Sequence, residues 1–283
     1  MGKFSKVLIA SDFDNTLVYT QGALDAGLPI PELSARDRAA LDRFLGEGGY
    51  FTVATGRAVP AFAEYAAKLP MNAPAIVANG AGLYDYRRDA YLCTAFLSPQ
   101  VRAHIGELLA ALPGTAFEVY HPDRRIHCMH PNRFIESHEH LTRTEAERVA
   151  SFDEIDLPLI KVLFEDETDR LETIRAFVLS RPWHAEYELI YSGDHLLEMT
   201  ARGATKGGMV LRLAEMLGVK REDIYCMGDH ANDLSMLEIA AVGFAPANAI
   251  AAVKSSGATI VCHCADGALA DVIAILERRY ADR

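Results

Sequence analysis

Two aspartates one residue apart, Asp12 and Asp14, directly follow the short apolar run Val7-Leu8-Ile9-Ala10. On an extended chain, side chains two apart point the same way, so these carboxylates converge while Phe13 turns to the opposite side. Two carboxylates at the end of a buried strand are costly unless something neutralises them. A divalent cation suits the task, and hard oxygen ligands favour Mg²⁺. Taken alone, the pair reads equally well as a solvated turn at a strand end. Three further fragments bear on it. Thr55-Gly56-Arg57 follows the run Tyr50 to Ala54. Ala204-Thr205-Lys206-Gly207 opens a helical pattern. Gly228-Asp229-His230-Ala231-Asn232-Asp233 follows the run Ile224 to Met227. A hydroxyl, a lysine and more carboxylates gathered at one edge make a phosphate-plus-metal site.

Such a gathering needs a scaffold, and the sequence supplies one. Val7 to Ala10, Tyr50 to Ala54, Ala75 to Ala78, Ile224 to Met227, Val242 to Ala245 and Thr259 to Val261 read as short buried strands. Between them lie helical patterns. One spans 34–46, with Ser34 as cap and Gly48-Gly49 as stop, and another spans 58–69. A third starts at Thr205, carries Val210, Leu213 and Leu217 on one stripe, and stops at Gly218. Strand-helix alternation predicts a parallel sheet covered by helices on both faces. In such sheets ligands bind beyond the carboxyl ends of the strands, where all four fragments can reach.

The middle of the chain has a different rhythm. Strand candidates at 117–120, 125–129, 159–164 and 188–191 mix with helices at 98–112 and 168–180. This predicts a smaller α/β unit inserted into the first, with a core of 1–82 and 193–283 and an insertion of 83–192. The polar stretch from His130 to Ser151 carries the weakest pattern.

Bulk properties exclude several roles. The 283 residues carry 28 Lys and Arg against 39 Asp and Glu, a formal net charge of −11. That balance argues against broad binding to nucleic acid or anionic membranes. No apolar run reaches transmembrane length, and Val7 to Ala10 is too short for a signal-peptide core. Five cysteines without a signal peptide point to reduced thiols in the cytoplasm. Cys262-His263-Cys264 could be half a metal site, but no matching second half is evident. Nothing in the sequence forces a dimer.

The four motifs in this order resemble the haloacid dehalogenase (HAD) superfamily of phosphohydrolases. The late lysine and the long insertion are similar to its Cof-type branch, which has a large α/β cap and includes sucrose-phosphate phosphatase-like enzymes. Asn79-Gly80-Ala81 and Asp266-Gly267-Ala268 add to the likeness. The resemblance implies a Rossmann-like parallel core with an inserted cap, and Mg²⁺-dependent hydrolysis of a small phosphate monoester, a sugar phosphate first among them. It implies Asp12 as nucleophile, forming an aspartyl-phosphate, and Asp14 as general acid and base. Thr55 and Lys206 would hold the phosphoryl group. Asp229 would bind Mg²⁺ with Asp12 and the backbone carbonyl of Asp14, with Asp233 and Asn232 in support. Gly56, Arg57, Asn79 and Asn232 become candidate substrate contacts. Asn15 stands where the family more often has glycine, and asparagine tolerates left-handed geometry.

Two other activities share these motifs. A phosphomutase of the phosphomannomutase type starts with the same aspartyl-phosphate, and a noncatalytic phosphometabolite sensor would keep the binding residues. The insertion is rich in histidine, including His121, His127, His130, His138 and His140, with Arg124, Arg125 and Arg133 among them. Some of these could touch a sugar or a second anionic group. For each taken singly, a solvated polar face is the simpler reading. Trp183, Tyr187 and Tyr191 could stack on a ligand, although cap-core packing explains them with fewer assumptions.

Overall fold

The computed structural model describes residues 2–282. In chain order its elements are β1 (Leu8–Ser11), α1 (Thr20–Asp25), α2 (Ala35–Gly46), β2 (Tyr50–Val53), α3 (Val59–Lys68), β3 (Ala75–Val77), β4 (Gly82–Asp85) and β5 (Ala90–Thr94). The middle holds α4 (Val101–Ala111), β6 (Phe117–Tyr120), β7 (Ile126–Met129), α5 (Arg133–Thr142), β8 (Glu147–Arg148), β9 (Lys161–Glu165), α6 (Thr168–Leu179), β10 (Tyr187–Gly193) and β11 (Leu196–Ala201). The last part holds α7 (Lys206–Leu217), β12 (Ile224–Met227), α8 (Leu234–Ile239), β13 (Val242–Pro246), α9 (Ala251–Lys254), β14 (Thr259–Val261) and α10 (Ala268–Arg279).

Five strands pair in parallel, in the order β14-β13-β12-β1-β2. They are apolar on both faces, as a sheet covered on both sides demands. Along β1, Ile9 packs with Phe44 and Ile273 on one side, while Leu8 and Ala10 pack with Val210 and Leu213 on the other. Helices α2, α3 and α10 supply the first layer, and α7 and α8 the second. The caps form as the sequence predicts. Ser34 Oγ accepts from the Asp37 N–H at 3.0 Å, and Thr205 Oγ1 accepts from the Gly208 N–H at 3.0 Å. Gly218 ends α7 in the left-handed region at φ 64°.

The middle forms a six-stranded sheet, β10-β11-β9-β6-β7-β8. Period-2 alternation divides its faces. Phe117, Val119, Val162, Phe164, Leu197 and Met199 pack under α4 and α6. The alternate residues, Glu118, Tyr120, Lys161, Glu165 and Glu198, belong to the opposite face, and all are buried.

Two features differ from the sequence expectation. β4 and β5 pair with β3, and β3 continues the core sheet through a parallel bridge from Ala54 to Ile76. β10 and β11 both belong to the six-stranded sheet. From this pairing we propose exchange points later than 82/83 and 192/193, with an inserted unit running from after Thr94 through Ala201. Helix α5 lies inside the stretch of weakest pattern. Its buried positions include only Ile135 and Thr142, with His138 nearly so, which leaves little apolar periodicity to read. No described helix is long and apolar enough to cross a membrane.

Candidate active site

Strand ends build the site. The hydrogen bonds of the parallel ladder carry β1 to Asp12, whose N–H donates to the Met227 carbonyl at 2.9 Å. The chain then turns through Asn15, which takes φ 55° as its side chain permits. After β12, Gly228 leaves room for Asp233: a Cβ there would stand 2.3 Å from that of Asp233. Asp233 Oδ2 accepts from the N–H groups of Asp229 and His230 at 2.9 and 3.0 Å, which closes the loop. Gly80, at φ 97°, lets its turn press against the Thr205 carbonyl at the start of α7.

That start delivers Lys206. Its ammonium is buried and donates to Asp12 Oδ1 at 2.7 Å and to Asp233 Oδ1 at 2.6 Å. Thr16 Oγ1 donates to Asp229 Oδ1 at 2.6 Å. Candidate ligand oxygens of Asp12, Asp229 and Asp233 lie within 4.8 Å of one another. Both oxygens of Asp233 are engaged, so it acts as a brace between lysine and loop. Oδ2 of Asp12 and Oδ2 of Asp229 have no hydrogen-bond partner among the described residues, and both residues line one cavity of about 200 Å³.

The electrostatics show a deficit of positive charge. Burial pushes the Asp12 carboxyl well above its usual range. Lys206 opposes that shift, but Asp233, Asp229 and Asp14 add to it. Burial, followed by repulsion from Asp233, lifts Asp229 to about 7. Three buried carboxylates face one ammonium. Two open oxygens, a hard donor set and a surplus of negative charge fit Mg²⁺.

Asp14 has a different environment. Burial would raise its pKa, but the charge and hydrogen bonds of Arg57 and a bond from Thr20 hold it below the usual carboxylate range. Arg57 Nε and Nη2 each donate to one oxygen of Asp14 at 2.8 Å, a bidentate pair. Thr20 Oγ1 donates at 2.7 Å. The guanidinium stands 5.1 Å from the Tyr65 ring centre and 5.7 Å from that of Phe13, which fixes its plane.

The structure thus brings Asp12, Asp14, Gly56, Arg57, Asp229 and Asn232 to one cavity, with Lys206 and Asp233 bonded to Asp12. Asn79 is fully buried and accepts from Asn232 Nδ2 at 2.9 Å, so its side chain supports Asn232. Thr55 is also buried, and its Oγ1 accepts from the Arg57 N–H at 3.1 Å.

Several cavity residues carried no motif. Thr20 comes from α1, His138 and Leu141 from α5, and Lys161, Ser192 and Glu198 from in and around the cap strands. A charge inside an apolar strand pattern, as in Ile160-Lys161-Val162 or Leu197-Glu198-Met199, was the available signal. Most other cap candidates point elsewhere. His121 and His127 hydrogen-bond each other at 2.8 Å, His130 Nδ1 bonds the Thr115 carbonyl, and His140 is exposed. Arg124, Arg125 and Arg133 pair with Asp89, with Asp123 and Asp156, and with Glu167. Trp183 stacks on His104 at 4.6 Å and packs with Tyr187 and Tyr191 against the cap core. His263 Nδ1 accepts from the Ala265 N–H, and the Cys264 N–H donates to Asn248, whose Nδ2 holds the Asn15 carbonyl.

Residues 9–273 match the family described as haloacid dehalogenase-like hydrolase. A 5-amino-6-(5-phospho-D-ribitylamino)uracil phosphatase of Bacillus subtilis (strain 168), YwtE, is 27% identical over 273 residues, covering 87% of this chain and 89% of the relative. The pyridoxal phosphate phosphatase YbhA of Escherichia coli (strain K12) is 29% identical over 271 residues, covering 90% and 92%. The fold is similar to a haloacid dehalogenase-like hydrolase from Bacteroides thetaiotaomicron, with a TM-score of 0.77, 23% identity, and 95% and 99% of the two chains covered. It is also similar to a HAD subclass IIB sugar phosphatase, with a TM-score of 0.79, 18% identity, and 95% and 98% covered. A parallel core, an inserted second sheet, a carboxylate-lysine cluster at the strand ends and a match over nearly the whole length agree: the chain belongs to the haloacid dehalogenase-like hydrolase family and is a phosphatase of that family.

Proposed function

We propose that the protein hydrolyses small phosphate monoesters, sugar phosphates first among them, through an aspartyl-phosphate on Asp12 and with Mg²⁺ as cofactor. The observation that carries this reading is the state of Asp12. One of its oxygens is fixed by Lys206, and the other is open to the cavity beside Asp229. The relatives' names support the substrate class, since 5-amino-6-(5-phospho-D-ribitylamino)uracil and pyridoxal phosphate are both small phosphate monoesters.

Asp12, Asp229 and the backbone carbonyl of Asp14 would hold Mg²⁺, which offsets the repulsion between carboxylate and phosphate and stabilises charge in the transition state. Asp12 attacks phosphorus, and its new O–P bond forms as the bond to the leaving oxygen breaks. Asp14 gives that oxygen a proton. Water then attacks phosphorus and passes a proton to Asp14, which frees Asp12 and phosphate. Paired with Arg57, Asp14 is ionised and suited to the second step. The first step needs it released from Arg57 and protonated. Lys206 keeps its charge throughout, because its carboxylate partners raise its pKa against the effect of burial. Asn232 and Gly56 contribute to the cavity wall where the phosphoryl group arrives. Five free cysteines support a reducing compartment such as the cytoplasm.

The test is phosphate release from a panel of phosphorylated metabolites, with Mg²⁺ and with excess EDTA. Mg²⁺-dependent release supports the reading. An isomeric phosphate ester without release would favour a mutase, and binding without turnover a sensor.

A further inference from the structure

The cap contributes an ion pair to the cavity that hydrolysis itself does not use. Lys161 on β9 and Glu198 on β11 are each 2% exposed, and both line the cavity with Asp12 and Asp229. They are near neighbours across the strand pair, since Glu198 is in register with Leu163 and Lys161 with Thr200. Lys161 Nζ stands 3.2 Å from Glu198 Oε2, yet that oxygen accepts no hydrogen bond among the described residues. The ammonium also lies 4.3 Å from the Tyr120 ring centre and reaches the Gly56 carbonyl at 3.4 Å. Gly56 sits between Thr55 and Arg57, so the pair touches the catalytic loop across the cap-core junction. Ser192 Oγ and Asn232 Oδ1 line the same cavity and are likewise without partners.

Buried polar atoms without partners are uncommon, and they mark places where water or a ligand completes the bonding. Here the open groups have a definite character. Lys161 offers N–H donors, Glu198 and Asn232 offer acceptors, and Ser192 offers both. The Lys161–Glu198 pair is neutral overall. A second anionic group would meet Glu198, and an ammonium would meet Lys161. Two adjacent hydroxyls suit both, one accepting from Nζ and the other donating to Oε2. Leu24, Leu141 and Leu196 line the cavity as well and supply apolar contact for C–H groups. At about 200 Å³ the space is smaller than the roughly 300–1,000 Å³ of common ligand pockets, which limits the leaving group to a few carbons.

We propose that Lys161 and Glu198 determine specificity by reading adjacent hydroxyls of the leaving group, so that preferred substrates are monoesters of small polyhydroxylated chains or rings. The proposal rests on the phosphatase reading of Asp12 and adds to it the chemistry of the leaving group.

The test compares kcat/KM for a pentitol phosphate, for pentyl phosphate of the same carbon count, and for pyridoxal phosphate. Removing one member of a buried pair strands the other charge, so the main variant is the double one, Lys161→Met with Glu198→Gln. The single Glu198→Gln serves as a second, isosteric probe, and circular dichroism reports folding of both. Hydrogen bonds to charged groups predict a wild-type preference for pentitol phosphate over pentyl phosphate of about 10- to 100-fold or more. In the double variant this ratio should collapse toward one. A purely structural role would lower both rates together and keep the ratio, and that result overturns the proposal. So does a wild-type preference for pentyl or pyridoxal phosphate. Release from none of the three or from the wider panel overturns the phosphatase reading, and this proposal falls with it.

Discussion

Two buried clusters of carboxylates can be set side by side. In the core, Asp12, Asp229 and Asp233 surround Lys206 at the strand ends. In the cap, Glu118 and Glu165 flank His138, with His138 Nδ1 at 3.2 and 3.5 Å from their oxygens. Each cluster has more carboxylates than cations, and each has ligand atoms close enough to hold a metal. They differ in where the open oxygens lie: Glu118 Oε1 and both oxygens of Glu165 also lack hydrogen-bond partners among the described residues, but they are buried in the sheet, and of this cluster His138 alone lines the cavity. The core cluster keeps a free oxygen on Asp12 and another on Asp229, facing a cavity. In the cap, Glu118 and Glu165 are fully buried in mid-sheet, and Tyr120 donates to Glu118 at 2.5 Å. Burial raises Glu165 to about 7, and the two glutamates hold His138 at about 9 against the effect of its own burial. Burial raises Asp229 as it raises Glu165, to about 7 each, so protonation does not separate the clusters, and we propose that the open face of the core cluster serves a metal and a phosphoryl group. Charge inventory alone does not distinguish them. Position at the carboxyl ends of parallel strands does.

The sharpest break comes from removing one carboxylate in each. Asp12→Asn should lower phosphate release by at least about 10⁴-fold, as loss of a nucleophile does elsewhere. Asp233 still pairs with Lys206 in that variant, so the fold should persist in circular dichroism. Glu165→Gln should keep release within the same order of magnitude as wild type. Equal losses in the two variants would mean that the cap cluster belongs to the chemistry.

Metal response should separate the clusters next. With Mg²⁺ at 100 times its Kd, binding stabilises the folded state by about 2.7 kcal/mol. For a chain of this size that is a rise in Tm of several degrees, on the order of 2–8 °C. Asp229→Asn should abolish the rise in a thermal melt, and His138→Gln should retain it. A rise lost in His138→Gln would place the ion in the cap.

Protonation of His138 should mark the cap cluster. His138 has a raised folded-state pKa, so its stabilising contribution is complete below about 6.5 and lost as pH rises through about 9. Glu165 is raised too, so its contribution is complete below about 4.5 and lost as pH rises through about 7. The unfolding free energy from urea titrations should therefore fall between pH 4.5 and 9, by an amount on the order of 1–3 kcal/mol. His138→Gln should flatten the limb above pH 6.5, and Glu165→Gln should reduce the limb below 7, which Asp229 of the core cluster shares. A wild-type midpoint constant across this range would show that the triad does not share protons as its geometry implies.

The two regions were unequally legible in sequence, for a physical reason. The core strands are buried on both faces, so Leu8 to Ser11 and Ile224 to Met227 stand out as apolar runs, with Asp12 and Gly228-Asp229 at their ends. The cap sheet is apolar on one face and charged on the other, so Lys161 and Glu198 interrupt its strands. β11 and helix α5 escape a reading based on hydrophobic period. Motif spacing brought both Asp14 and Arg57 to the site, but not their pairing. The Arg57 pair spans 43 residues and depends on how α3 packs Tyr65 beside Phe13. Which open oxygens face the cavity and which stay buried in the sheet depends on how side chains meet, and spacing alone does not carry that.

The smallest effect probes the core cluster from one atom away. Thr16 Oγ1 donates to Asp229 Oδ1 and is fully buried, so it orients the carboxylate and leaves Oδ2 for the cavity. Thr16→Val keeps the shape and removes the hydroxyl. Partners that orient a metal ligand usually contribute about 10- to 100-fold in metal affinity, and the lower end applies here because Asp229 retains its charge. The Mg²⁺ concentration for half-maximal release should therefore rise about tenfold, while kcat at saturating Mg²⁺ changes less. An unchanged Mg²⁺ requirement would mean that Asp229 is oriented by its loop alone, through the Asp233 brace. The difference between the clusters would then lie in backbone position, with no contribution from the hydroxyl.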